Sequence, residues 1–176
     1  MKQRLIAGFT VAETLVAMSL FIAVVSIAVD GFIRNLRTQR ATVILISANS
    51  NASAALEQMA REIRVGRNFP APATKPGVTS IAFTNSAGET VAYQLDVANQ
   101  AIERGVDPGT GMVFSPITAE DVGVLDLRFI LFGTNPTDGY PPRITITLRI
   151  TPVGIVGLSV PIINMQTTVS ARELDG

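Results

Sequence analysis

The chain contains no histidine, no cysteine and no tryptophan in 176 residues. Those absences exclude a thiol nucleophile, a Ser-His-Asp triad, haem held through histidine, and a zinc site of the usual nitrogen and sulfur ligands. Carboxylates, lysine, serine, threonine and two tyrosines are what remains for chemistry. Without cysteine the redox compartment stays open, because an exported domain with enough core needs no disulfide. Net charge is missing as well: 14 basic residues balance 14 acidic ones, so no global basic field invites nucleic acid. A non-enzymatic role, with no cofactor, no metal site and no nucleic-acid partner, is expected. The length suits one modest domain of roughly 100–150 residues and something besides.

What is present is a very uneven distribution of apolar residues. Lys2 and Arg4 precede a stretch from Phe9 to Val29 whose one charged residue is Glu13. A bilayer core is spanned by about 20 apolar residues at 1.5 Å each, and this stretch is long enough. The basic residues in front of it place the N-terminus on the cytoplasmic side. A secretory signal peptide would share this outline, with Ser26-Ile27-Ala28 as a small-x-small cleavage site. A plain signal anchor explains everything except Glu13. An ionisable side chain costs on the order of 2.5–3.5 kcal/mol at the centre of a membrane segment and less towards its end, and it is normally paired or functional.

The run Gly8-Phe9-Thr10-Val11-Ala12-Glu13-Thr14-Leu15-Val16-Ala17, behind a short basic leader, resembles the cleavage and methylation motif of type IV prepilins and pseudopilins. The resemblance implies that a prepilin peptidase cuts between Gly8 and Phe9 and that the new amine of Phe9 is methylated. It also implies that Glu13 serves assembly. The implied chain has a leader over 1–8, a helix over 9–65 with 9–29 in the membrane, and a β-rich head over 66–176. Its implied partners are other pilin or pseudopilin subunits, the peptidase, an inner-membrane assembly platform and lipid. The implied location is the inner membrane, with the N-terminus cytoplasmic and the head outside, before assembly into a filament. Glu13 has a physical rationale within this scheme. Cleavage leaves a cationic amine at Phe9 in an apolar layer, and a buried charge needs a partner. Glu13 of a neighbouring subunit would supply it, fixing register more than adding net stability.

Beyond the apolar stretch, proline is absent from residue 9 to residue 69 and Gly31 is the one early glycine. A continuous helix of some 55 residues, roughly 85 Å long, is predicted. Its distal half carries Leu45, Ala48, Ala52, Ala55, Met59 and Ile63 at the spacing of one face. Glu57 and Arg61 form an i,i+4 pair away from that stripe. The weak point is Ser47 to Ser53, whose polar side chains compete with backbone hydrogen bonds; a kink or loosened turn is expected there. Asn51-Ala52-Ser53 fits a glycosylation acceptor, but on a helix it reads as chance. Gly66 is the expected C-terminal stop, followed by Pro70, Pro72 and Pro76.

From Val78 the period changes to two. Ile81 and Phe83, a turn over 86–89, then Val91, Tyr93, Leu95 and Val97 predict a hairpin. Leu125, Leu127, Phe129 and Leu131 predict a further strand. In 143–151 the residues Ile144, Ile146, Leu148 and Ile150 point inward against outward Thr145, Thr147, Arg149 and Thr151. A last strand is expected between Ile162 and Ala171. The predicted class is α+β, pilin-like: a long N-terminal helix whose distal stripe packs on an antiparallel sheet.

Sites in the head read weakly. Asp107-Pro108-Gly109-Thr110-Gly111 lacks the following helix and lysine of a phosphate-binding loop and reads as a loop tip. Glu120, Asp121 and Asp126 offer oxygen ligands without calcium-loop spacing, and read as solvated carboxylates. Residues 135–142 are turn chemistry. Leu56 to Arg64, Ile81-Ala82-Phe83, Tyr93-Gln94-Leu95, Ile102-Glu103-Arg104 and Thr167 to Arg172 together are similar to the J-type minor pseudopilin of type II secretion and the related W-type minor pilin. The lack of a cysteine pair departs from many major pilins. A membrane-anchored adhesin or ligand-binding head on a pilin-type N-terminus is the alternative.

Overall fold

The computed structural model describes residues 8–71, 77–135, 139–155 and 160–172. Lys2 and Arg4 of the expected leader, Pro72 and Pro76 beyond the helix, and 136–138 of the proline-rich turn lie outside the described residues. The chain is α+β. Helix α1 (Val11–Arg64) is followed by β1 (Ser80–Thr84), β2 (Thr90–Asp96), β3 (Ala101–Val106), β4 (Val113–Pro116), β5 (Val122–Phe132), β6 (Arg143–Pro152) and β7 (Ile163–Ser170). It divides into two compact units, Met1–Thr42 and Val43–Gly176.

In the first unit α1 is apolar on every side from Leu15 to Val29. Leu15, Phe21, Ile22, Val24 and Ile27 are each well exposed. The helix is long and apolar enough to cross a membrane, and none of its apolar window is buried. A helix that is hydrophobic all round has no face to offer a small head and needs an apolar surrounding.

In the second unit the strands form two antiparallel meanders, β1-β2-β3-β4 and β5-β6-β7, rather than the single sheet expected. Both contribute to one core with the distal part of α1, through Ala48, Ala52, Ala55, Leu56, Met59 and Ile63. The predicted stripe holds except at its start: Leu45 is half-buried, and Leu56 joins the inward face. The four inward residues of β6, from Ile144 to Ile150, are all buried. Each such side chain contributes about 1.5–3 kcal/mol on burial.

Residues 47–53, where a kink or loosened turn is expected, stay helical, and polar groups there find partners in the head. Ser47 Oγ donates to Asp121 Oδ2 at 2.6 Å, and Asn51 Nδ2 donates to Asp121 Oδ1 at 3.3 Å. Asn51 Oδ1 accepts the N–H of Ala119. Side chains engaged outside the helix no longer compete for its backbone.

Gly66 does end the helix, but its φ is not left-handed. A Cβ there would lie 2.6 Å from Phe83 Cδ2, so close packing on β1 is what requires glycine. The Arg64 carbonyl, unpaired within the helix, accepts the N–H of Arg172 at 3.0 Å.

Two strands depart from simple alternation. In β5 a bulge between Val124 and Asp126 shifts the register against β6. Val122 and Val124 face inward before it, Leu127 and Phe129 after it, and Leu125 is left exposed instead of inward. The extra residue of a bulge changes the phase of a strand. β2 ends at Asp96, whose Oδ1 accepts the N–H groups of Ala98 and Asn99. That turn carries Val97 out to 76% exposure.

Candidate functional site

Ahead of α1, residues 8–10 are not helical, so the Gly8–Phe9 peptide bond lies outside the helix. Phe9 is 84% exposed. A Cβ added at Gly8 would meet nothing within 4 Å, and the residue's φ is not left-handed. Among the described residues, no packing contact demands glycine at this position.

Thr10 caps the helix. Its Oγ1 accepts the Glu13 N–H at 3.2 Å, and Glu13 Oε2 accepts the Thr10 N–H at 3.4 Å. This is a reciprocal capping box, which satisfies two of the donors a helix start leaves unpaired. Its sequence signal is Thr-x-x-Glu before an apolar run, independent of the charge of Glu13. The box holds the Glu13 carboxylate at the first turn, on the side of the chain start. There a negative charge also suits the helix dipole.

The head contains a polar cluster that the sequence reading did not identify as a unit. Glu62, in the last turn of α1, receives Arg104 Nη2 on Oε1 at 2.7 Å and Arg104 Nε on Oε2 at 3.0 Å. Tyr93 Oη donates to Glu62 Oε2 at 2.5 Å. Glu62 thus makes the ion pair that ties helix to sheet. One residue comes from each of three segments noticed separately: the helix end, the Tyr-x-Leu strand and the Ile-Glu-Arg step.

Burial opposes charge on Glu62, but Arg104 and the Tyr93 hydroxyl outweigh it and hold the carboxyl below its ordinary pKa of 4.5. Burial first, and then the bond to Glu62, pushes the Tyr93 phenol well above its ordinary 10. The bond to Glu62 raises Arg104. Acid–base catalysis favours groups brought towards neutral pH, and both shifts on the acids run away from it. The cluster fixes the helix end against β2 and β3.

The other expected sites resolve individually. In the loop from Asp107 to Gly111, Asp107 Oδ1 accepts the N–H groups of Gly109 at 2.8 Å and Gly111 at 3.2 Å. The loop's amides are thus turned onto its own carboxylate, at the tip of the β3–β4 hairpin. Asp121 is held by Ser47 and Asn51, while Asp126 pairs with Arg128 at 3.0 Å. Among the described residues no three acidic side chains gather as metal ligands. A groove of about 570 Å³ lies beside the β2–β3 turn, with Asp96, Asn99, Gln100, Glu103 and Glu120 in its lining. Much of its polarity is internally engaged: Asn99 donates to Asp96 at 2.6 Å, and Gln94 donates to Glu103 at 3.0 Å.

Compared with known proteins, the chain matches no family model, no curated protein and no solved structure.

Proposed function

We propose that this chain is a structural, non-enzymatic subunit of a type IV pilus-like filament or a type II secretion pseudopilus, with a minor subunit favoured. It is cut by a prepilin peptidase between Gly8 and Phe9, methylated at Phe9, and assembled through its N-terminal helix with Glu13 as counter-charge. The observation that carries the reading is the coincidence, at one end of one helix, of the Gly-Phe-Thr-x-x-Glu motif with an apolar segment that no described residue buries. Two local features support it. The Gly8–Phe9 bond is non-helical and exposed, as a peptidase substrate must be. Among the described residues nothing crowds position 8, so its glycine is open to recognition from outside the chain.

In the proposed scheme the unburied helix rests in the inner membrane as a single pass, with its start cytoplasmic and the head periplasmic or extracellular. Neighbouring subunits, the assembly platform and lipid then cover what the chain itself does not. The Glu13 carboxylate exchanges its 3.4 Å bond to Thr10 N–H for the Phe9 amine of a neighbour. Both bonds use the charged carboxylate, but the amine carries a full opposite charge where the Thr10 N–H carries none, and that attraction grows in an apolar layer.

Two measurements test this. N-terminal mass spectrometry of protein from its native host should find a mature start at methylated Phe9; a start after Ala28, or an uncut Met1, rejects the scheme. A processed, membrane-inserted Glu13→Gln subunit should co-purify less with its partner subunits. Undiminished assembly would remove the charge-pairing mechanism and leave the cleavage site standing.

A further inference from the structure

A β-sheet edge exposes unpaired N–H and C=O groups, and folded proteins protect such edges by cover, shortness, proline, charge or a bulge. Among the described residues the head has four sheet edges, and three are protected. β1 is bridged by Arg67, which exchanges two 2.8 Å bonds with Thr84. β5 is bridged by Val78 through Phe129, and its Val124 N–H donates to the Gln100 carbonyl at 2.7 Å. β4 has four residues and ends in Pro116.

β7 differs. Its eight residues, Ile-Asn-Met-Gln-Thr-Thr-Val-Ser, include no charge and no proline, and it pairs with β6 without a register shift. The Ala171 N–H donates to the Pro142 carbonyl in the continuing ladder, which fixes the phase. Odd-numbered residues direct their backbone groups to β6, while Asn164, Gln166, Thr168 and Ser170 direct theirs outward. Among the described residues nothing meets those outward groups. Apolar surface accompanies them: Ile163 and Met165 are only partly buried against the core, and Ile162 is 52% exposed.

We propose that β7 pairs antiparallel with β7 of a second copy of this chain, joining two three-stranded sheets into one of six strands. The strand is self-complementary in one register. With the two-fold axis at Gln166, the outward backbone groups of Asn164 and Thr168 exchange bonds, and Gln166 bonds to its counterpart. Ile163 then stands opposite Val169 and Met165 opposite Thr167, so the apolar row continues across the seam. Asn164 and Thr168 share the polar face, and no like charges are opposed. The absence of any charge on β7 is what admits a copy of itself, since a single lysine on the strand would oppose such pairing. The pairing involves only the head and does not depend on cleavage at Gly8–Phe9.

The cysteine-free sequence permits a direct test. In the full chain in its host membrane, Gln166→Cys places two thiols across the axis, with Cα atoms about 5.5 Å apart, inside the disulfide range of roughly 4.4–6.8 Å. Mild oxidation should give a covalent dimer, whereas Ser86→Cys, exposed on the β1–β2 turn, should not. Adding Thr168→Pro removes an outward N–H and leaves the β6 ladder intact, so the dimer should be lost. Thr168→Lys, which keeps every backbone donor, should lower the dimer as well and guards against misfolding of the proline variant. No cross-link at Gln166→Cys, an equal one at Ser86→Cys, or a dimer indifferent to both Thr168 changes overturns the proposal. So does cross-linking to a chain of different mass.

Discussion

The stretch from Leu15 to Val29 and the strand β6 are both rich in apolar residues, yet the first is exposed throughout and the second is buried along its inward face. The difference lies in arrangement. β6 alternates, so four apolar side chains share one surface that α1 and the neighbouring strands can cover. The helix segment is apolar at nearly every position, and no single neighbour could cover it. Apolar content says that something must shield a segment. Period says whether the chain itself can do so.

The largest expected effect sharpens that contrast. Ile146→Ala, at a fully buried position of β6, should destabilise the head by about 2–5 kcal/mol. Ile22→Ala in the exposed helix should leave head stability within about 0.5 kcal/mol. Chemical denaturation of the detergent-solubilised chain, followed by Tyr fluorescence, measures both. Equal losses would mean that the two regions are not energetically separate.

Next in size is Glu62→Gln, which leaves Arg104 partly buried without its counter-charge. A loss of about 1–3 kcal/mol is expected, and the wild-type pH profile should carry the same signature. Glu62 has a depressed pKa when folded, so its contribution is present above the ordinary carboxylate value and fades as pH falls through the lower folded one. Tyr93 has a raised pKa, so its contribution holds below its ordinary value of 10 and is lost as pH climbs beyond it. Glu62→Gln should flatten the acid limb measured by denaturant titration. An unchanged acid limb would show that the pair contributes little to folding.

Ser47→Ala with Asn51→Ala removes the bonds to Asp121 and should cost about 0.5–1.5 kcal/mol. Those residues sit at the expected weak point of the helix, so hydrogen exchange of backbone amides 47–53 should quicken at the same time. Unaltered exchange would mean that Asp121 does not steady this part of the helix.

The smallest expected effect is at Leu125. Simple alternation along β5 places it in the core, where truncation would cost several kcal/mol. The bulge exposes it, so Leu125→Thr should fall within about 0.5 kcal/mol of wild type. A core-sized loss would show that Leu125 is buried and the bulge assignment wrong.

Sequence alone settled whatever depends on neighbours along the chain. The apolar run behind Lys2 and Arg4 and the proline-free span that becomes α1 are matters of composition, and the stripe from Ala48 to Ile63 and the alternation of β6 are matters of period; both can be read without a fold. The Thr10–Glu13 capping box is equally local: its Thr-x-x-Glu spacing carries the signal, but Glu13 is read from its charge, and the box emerges with the structure. Tertiary structure decided what depends on residues far apart. The partition into two sheets, the bulge that turns Leu125 outward, the Asp121 partners that keep residues 47–53 helical, and the convergence of Glu62, Tyr93 and Arg104 all rest on long-range contacts. No periodicity encodes these. A bulge changes phase without changing composition, and a hydrogen bond between residues 31 or 70 positions apart leaves no trace in either segment taken alone.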